Sequence, residues 1–437
     1  MRRRLRAGAV AAAAILALSA ILGLGLALAP AAGATPGPAQ APEWWFDTWN
    51  VPQLWAEGAD GHGVTVAVVD TGVQADIPEL SGRVLAGADY LGNGSDGRTD
   101  YDGSSFSHGT AMASIIASGP SASTGIEGLA PQAKILPIAV PLRGVITTGT
   151  PVPDATPKAI RYAVDHGAKI VSMSLGGMRN EATTSVPCPS SLQDAVVYAL
   201  SKGALVIAAS GNSGDDGSPV EEPGVCLGVV SVGSVNGELQ VSSFSSRHPY
   251  LTLTAPGERI PSLTRQSGVG YVGSGTSQAT ALASAAIALV WSKYPSESNE
   301  QILDRVLSTT SDRGPAGRDS AYGIGFIEPG AAARAPAPAA GTTDPVFAGV
   351  RPLLDLAKVS ATSSVAKVAP AGDASAPLGV RQVGSRQSTV GVSVVVLAVA
   401  SGLFAIATVL LTVAALRPGR RRPPAEPATP ATFSGGS

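Results

Sequence analysis

Cysteine and histidine are scarce in this 437-residue chain, with two of the first and four of the second. No H-E-x-x-H run and no Cys/His cluster occurs, so zinc hydrolysis has no ligand set. Charge is thin as well: Asp, Glu, Lys and Arg make up 14% and the net charge is −2, against about 25% charged residues in average soluble proteins. That balance excludes a disordered polyampholyte and a basic nucleic-acid binder. No internal repeat is present. The tripeptide Asp70-Thr71-Gly72 occurs once, whereas an aspartic protease needs a second such carboxylate in the chain or in a partner.

What the chain has instead is apolar residues, concentrated at its two ends. Met1 to Arg6 is basic, Ala7 to Ala29 is an apolar run with Ser19 as its one polar side chain, and Ala32-Gly33-Ala34 is a small-residue cleavage pattern. This reads as a secretory signal peptide over 1–34; the alternative is an uncleaved anchor, and export follows on either reading. Val390 to Leu416 is apolar and is followed by Arg417, Arg420, Arg421 and Arg422, which predicts a transmembrane helix over 390–416 with a cytoplasmic tail at 417–437. In an exported chain Cys188 and Cys226 read as one disulfide, closing a loop worth roughly 4 kcal/mol in chain entropy. Two free buried thiols are the alternative.

Between the ends lie two compositions. Residues 331–389 are dominated by Ala, Pro, Gly, Ser and Thr and read as linker, although Val346 to Val359 holds enough Leu and Val to dock locally. Residues 61–330 are long enough for one well-buried domain. In that span Val64 to Val69, Lys134 to Val140, Lys169 to Ser174, Leu205 to Ala209 and Val229 to Val232 are short and almost continuously apolar, as strands covered on both faces are. Helix-like runs at His108 to Ser118, Lys158 to His166 and Ser191 to Lys202 fall between several of them. Such alternation predicts an α/β fold, a parallel sheet with helices on both sides, with its chemistry beyond the carboxyl ends of the strands.

Four residues stand at such places. Asp70 directly follows the strand at Val64. His108 opens an uncharged helix with Gly109-Thr110. Asn212, in Ser210-Gly211-Asn212-Ser213-Gly214, follows another apolar strand, and Ser277, in Gly273-Ser274-Gly275-Thr276-Ser277-Gln278-Ala279, leads into a further uncharged helix. Each has a plain reading: a turn Asp, a satisfied core His, a turn Asn, an N-cap Ser. A serine at the positive end of a helix also faces a site where an oxyanion is stabilised, and an Asn amide can donate to one.

In the order Asp, His, Asn, Ser these segments resemble the signature blocks of the subtilisin-like (subtilase) serine proteases, over roughly Asp60 to Pro329. The order excludes the chymotrypsin arrangement. The resemblance implies a subtilisin-like three-layer α/β/α fold with a mostly parallel sheet, plus the one C-terminal transmembrane helix. It implies Ser277 as nucleophile, His108 as base, Asp70 as the group that orients it, and Asn212 with the Ser277 N–H as oxyanion hole. Ser174-Leu175-Gly176-Gly177 is similar to the family's substrate-pairing segment. One departure is visible: Thr280-Ala281 stands where the family usually has Ala-Pro.

The flanks narrow the resemblance to mycosins, the membrane-anchored subtilases of type VII secretion. Trp44-Trp45-Phe46, Trp49 and Leu54-Trp55 look like their N-terminal extension, here 35–60, and the tryptophans are expected to pack onto the domain. The further mycosin disulfide near the His block is absent. The Cys188–Cys226 pair encloses Asn212 and would brace the loops around it. Asp96, Asp100 and Asp102 form no recognisable calcium loop and read as a solvated turn, so no metal and no cofactor is expected. The implied activity is endopeptidase cleavage of exported polypeptides, with a type VII secretion membrane complex as partner and no nucleic acid. The rivals are a non-catalytic channel subunit and a general surface protease.

Overall fold

A computed structural model of the chain describes residues 43–142, 144–178, 188–339 and 344–366. Two short helices come first, α1 (Trp44–Trp49) and α2 (Val51–Ala56), then β1 (Thr65–Asp70), β2 (Ala88–Asp89), α3 (His108–Ala117), β3 (Lys134–Ala139), α4 (Ala155–Asp165), β4 (Ile170–Met173) and β5 (Gly177–Met178). Next are α5 (Ser190–Ser201), β6 (Leu205–Ala209), β7 (Glu221–Glu222), β8 (Val229–Val235), β9 (Leu253–Pro256), β10 (Ile260–Leu263) and β11 (Gly270–Gly273). The described part closes with α6 (Thr276–Lys293), α7 (Asn299–Leu307), α8 (Pro329–Arg334) and α9 (Pro345–Ala366). The signal read at 1–34, the membrane helix at 390–416 and the tail at 417–437 lie outside the described residues. Among the described residues no helix is long and apolar enough to cross a membrane.

Seven strands form one sheet in the order β2-β3-β1-β4-β6-β8-β9, and every pairing within it is parallel. Strands β4, β6, β8 and β9 are buried at every position, as strands covered on both faces are. Helix α4 packs with α5, and α3 with α6, giving three layers. Every residue of α6 except Ser277 and Lys293 is buried; its run of Ala and Ser keeps it narrow enough for strands and helices to close around it. The expected strands are all present, but β9 and the antiparallel hairpin β10–β11 were not read from the sequence, because they are short and lack a clear apolar period.

The tryptophan-rich extension packs as expected. Trp45, Trp49, Val51 and Leu54 are buried, Trp49 stacks on Phe326 at 5.9 Å, and its Nε1 donates to the Ile327 carbonyl at 3.1 Å. Trp55 Nε1 donates to Leu129 O at 2.9 Å.

The stretch read as linker at 331–389 holds more order than its composition suggested. Helix α9 is long, and Val346, Phe347, Val350 and Leu354 form a buried stripe on it that packs against α5, at spacings that share one helix face. Asp344 opens it, accepting from the N–H groups of Val346 and Phe347 at 2.8 and 2.9 Å. Burial pushes the Asp344 carboxyl up to about 7, the two N–H bonds pull it down, and the neighbouring Asp304 and Glu300 push it up again. Glu300 is itself paired with Arg351 of α9.

A carboxyl whose pKa folding raises holds its proton more tightly in the folded than in the unfolded chain. Its contribution is full below the ordinary value of 3.8 and is lost as pH climbs through about 7. Amide exchange of residues 345–359 should therefore be slower, relative to intrinsic rates, at about pH 5.5 than at about pH 8. Asp344→Asn, which keeps an oxygen for the cap, should remove most of that difference; an unchanged pH dependence in the variant would refute the assignment.

Candidate active site

The topology delivers the singled-out residues to one edge of the sheet. Asp70 ends β1, Ser174 to Gly176 leave β4, Asn212 follows β6, and His108 and Ser277 stand in the first turns of α3 and α6. Strand β1 lies between β3 and β4, where the order of winding reverses and parallel sheets open a crevice.

Asp70 is 0% exposed. Its Oδ1 accepts from Thr71 N–H at 2.8 Å and faces His108 Nδ1 at 2.8 Å, while Oδ2 is buried with no hydrogen-bond partner among the described residues. A carboxylate can only accept, so Nδ1 carries the proton and the other ring nitrogen, Nε2, is left as the basic one. The His108 side chain is 24% exposed, with Phe106 edge-on at 5.6 Å. Burial presses the imidazolium pKa down, but the charge and hydrogen bond of Asp70, then the charges of Asp102 and Asp100, outweigh it and leave His108 above its ordinary 6.5.

Behind this pair is a second carboxylate that the sequence did not reveal. The Asp96, Asp100 and Asp102 group is not one solvated turn: Asp96 pairs with Arg98 at the surface, but Asp100 is 5% exposed. One Asp100 oxygen accepts from Thr71 Oγ1 at 2.8 Å and Asp102 N–H at 3.0 Å. The other accepts from Thr110 N–H at 2.9 Å and Thr110 Oγ1 at 2.5 Å. Thr71 Oγ1 in turn accepts from Gly109 N–H at 2.9 Å, and Asp102 Oδ2 from His108 N–H at 2.8 Å. The loop after β1 and the first turn of α3 are thus tied through one buried anion. The contact is so close that a Cβ on Gly109 would sit 2.0 Å from Gly72 O, which is why a glycine stands between His108 and Thr110. The available signal was the two threonines flanking the Asp and His positions, both of which need a buried acceptor.

Ser277 is half-buried. Its Oγ donates to Ser174 O at 3.0 Å, and Ser174 Oγ donates to Ser277 O at 2.8 Å, so the segment leaving β4 is locked to the start of α6. Asn212 Oδ1 accepts from Thr276 N–H at 2.8 Å and Thr276 Oγ1 at 2.9 Å. A backbone N–H can only donate, which fixes the amide orientation and leaves Nδ2 as a donor at the exposed side. The Ser277 N–H, second in its helix, is among the first four that no intrahelical carbonyl can reach. The departure at Thr280-Ala281 leaves the helix continuous: Ala281 is buried, and Thr280 Oγ1 donates to Thr276 O at 2.8 Å.

Leu175, Gly176 and Gly177 line a cavity of about 310 Å³ with Pro141, Leu142 and Leu192. Gly177 and Met178 pair antiparallel with Glu222 and Glu221. The cysteines are joined, Cys188 to Cys226 with Cα atoms 5.1 Å apart, tying the start of α5 to the turn before β8. The site thus collects a hydroxyl at a helix N-terminus, an imidazole oriented by a buried carboxylate, and a side-chain amide donor, a set suited to acyl transfer.

Because the neutral imidazole is the basic form, the rate at which an organophosphonate modifies Ser277 should rise with pH through an apparent pKa above 6.5. Asp102→Asn removes one of the charges that hold His108 up, so this rise should move to lower pH. A limb at or below the ordinary histidine value in the wild type would contradict the assignment.

A model of the subtilase family matches residues 61–325. Thermitase of Thermoactinomyces vulgaris is 37% identical over 276 residues, covering 62% of this chain and 91% of that protein. The crystal structure of MycP1 from Mycobacterium smegmatis superposes with a TM-score of 0.61 at 27% identity, over 71% of this chain and 91% of that one. A chain of the periplasmic assembly from the ESX-5 inner membrane complex does so with a TM-score of 0.60 at 26% identity, over 81% and 92%. The chain belongs to the subtilase family of serine proteases and is related, among solved structures, to the mycosins of type VII secretion.

Proposed function

We propose that the protein is a membrane-anchored extracytoplasmic serine endopeptidase that processes exported polypeptides at a type VII secretion complex. The observation that carries the chemistry is the Asp70–His108 hydrogen bond at 2.8 Å, at the same sheet edge as a helix-initial serine whose neighbour, Thr276, turns the Asn212 amide outward. Export and anchoring rest on the basic, apolar start and on the apolar run at 390–416 with the arginines after it.

With a peptide in place, Ser277 Oγ gives up its bond to Ser174 O and transfers its proton to His108 Nε2 as it attacks the scissile carbonyl. The oxyanion that forms receives the Asn212 Nδ2 and Ser277 N–H donors. Asp70 stabilises the imidazolium and holds its Nδ1 proton. Collapse of the intermediate breaks the C–N bond, and His108 returns the proton to the leaving amine. The acyl-enzyme at Ser277 is then hydrolysed by a water that His108 deprotonates. An extended substrate would pair with Ser174 to Gly177, and its flanking apolar side chains would enter the cavity beside Leu175. No metal or cofactor takes part in these steps.

A second reading, a channel subunit whose chemistry is idle, is favoured by the Ser277 hydroxyl bond to Ser174 O and by the similarity to a chain of a periplasmic assembly. Fluorophosphonate labelling of the full-length protein separates the two. Labelling abolished by Ser277→Ala and slowed about 10²- to 10³-fold by Asn212→Ala, the loss measured for the oxyanion asparagine of a subtilisin, supports the enzyme. Folded wild type that resists the probe favours the subunit. In cells, secretion restored by Ser277→Ala to the level of the intact gene would favour the subunit as well.

A further inference from the structure

Strands β4 and β6 are paired side by side, with Met173 opposite Ala208. The segments that continue from them, Ser174 to Gly176 and Ser210 to Asn212, diverge to flank the place where the scissile carbonyl must sit. In the gap between them is the side chain of Glu221. A Cβ added to Gly176 would lie 2.1 Å from its Oε2, and one added to Gly211 would lie 2.1 Å from its Oε1. The carboxylate therefore spans a slot whose two walls are both glycine.

Glu221 is 6% exposed. Its backbone is held by the pairing of Met178 with Glu221 and by its N–H, which donates to Tyr250 Oη at 3.2 Å. Burial raises the pKa of the carboxylate, and no neighbouring charge or hydrogen bond among the described residues contributes to that shift. A buried anion is costly unless something pairs with it. Around Asp100 the same cost is offset by four hydrogen bonds; around Glu221 no charge or hydrogen bond among the described residues offsets it. A cationic side chain on the substrate residue whose carbonyl is attacked, entering through the slot, would pair with it.

We infer that Glu221 is a specificity-determining residue that selects a lysine or arginine immediately before the scissile bond. This rests on the protease reading given above. Glycine walls leave room for an unbranched stem, and the two carboxylate oxygens receive an ammonium or a guanidinium. An acidic side chain would be repelled. An aliphatic one would leave the anion buried and unpaired.

The test is a set of fluorogenic peptides that differ only at that residue, Arg, Lys, Leu, Ala or Glu, cleaved by the full-length protein and by Glu221→Gln. The expected wild-type result is a kcat/KM for Arg or Lys at least tenfold above that for Leu. In Glu221→Gln the Arg value should fall about 10²-fold while the Leu value rises, so that the order inverts. Wild type that prefers Leu or Ala overturns the inference, and so does a variant in which all five values fall in parallel, the mark of a merely structural residue. Should the variant not fold, wild-type inhibition by matched peptide aldehydes decides: an arginal at least tenfold tighter than a leucinal supports the inference, and equal or reversed affinities overturn it. Failure to cleave any peptide together with failure of Ser277 to react would overturn the protease reading and this inference with it. Cleavage of Leu but not Arg peptides overturns this inference alone.

Discussion

Parallel strands cannot be joined by tight turns; each must be followed by a crossover that returns over one face of the sheet. That constraint accounts for most of what is described here. The seven strands are buried by helices on both sides, and the chain necessarily leaves every strand at the same edge before turning into the next helix. The carboxylate of Asp70 after β1, the segment Ser174 to Gly177 after β4 and the amide of Asn212 after β6 are brought to one edge without any being near another in sequence. Helices α3 and α6, starting at that edge, contribute His108 and Ser277 with the positive ends of their dipoles turned to the same crevice.

The edge is held in register by polar contacts rather than by apolar packing. Three buried carboxylates there illustrate different degrees of satisfaction. Asp100 is bonded on both oxygens and joins two loops. Asp70 is bonded on one oxygen, which leaves its charge available to His108. The Glu221 carboxylate meets no charge or hydrogen bond among the described residues. This gradation follows from how many donors each meets among the described residues. Residue type alone does not distinguish the three.

The same distinction explains what was legible in the sequence. The five core strands could be read because continuous Val and Ile runs report burial directly, and the signature blocks around Asp70, His108 and Ser277 because each sits in a distinctive local run. Asp100 looked like one more acid in a polar turn; its burial depends on Thr71 and Thr110, which lie on different elements. Glu221 had no local signal, since its walls come from Gly176 and Gly211. Helix α9 was seen only as an apolar stretch able to dock, because Ala, Pro and Gly nearby lower the apparent order, while the surface that covers it belongs to α5. Contacts across long sequence distances are what local patterns leave out.

The clasp between the two ends of the described domain has a mechanical side. Trp49 bonds to Ile327, Glu57 pairs with both Lys293 and Arg334, and Tyr294 Oη donates to Ala333 O at 2.7 Å. The start of the domain and the segment through α8 are thus joined in one sewn patch. A pull applied beyond α9 is met first by its buried stripe on α5, and the α8 patch is loaded only after that stripe yields. Force transmitted along a tether would thus leave the geometry of the sheet's carboxyl edge unperturbed until that patch ruptures.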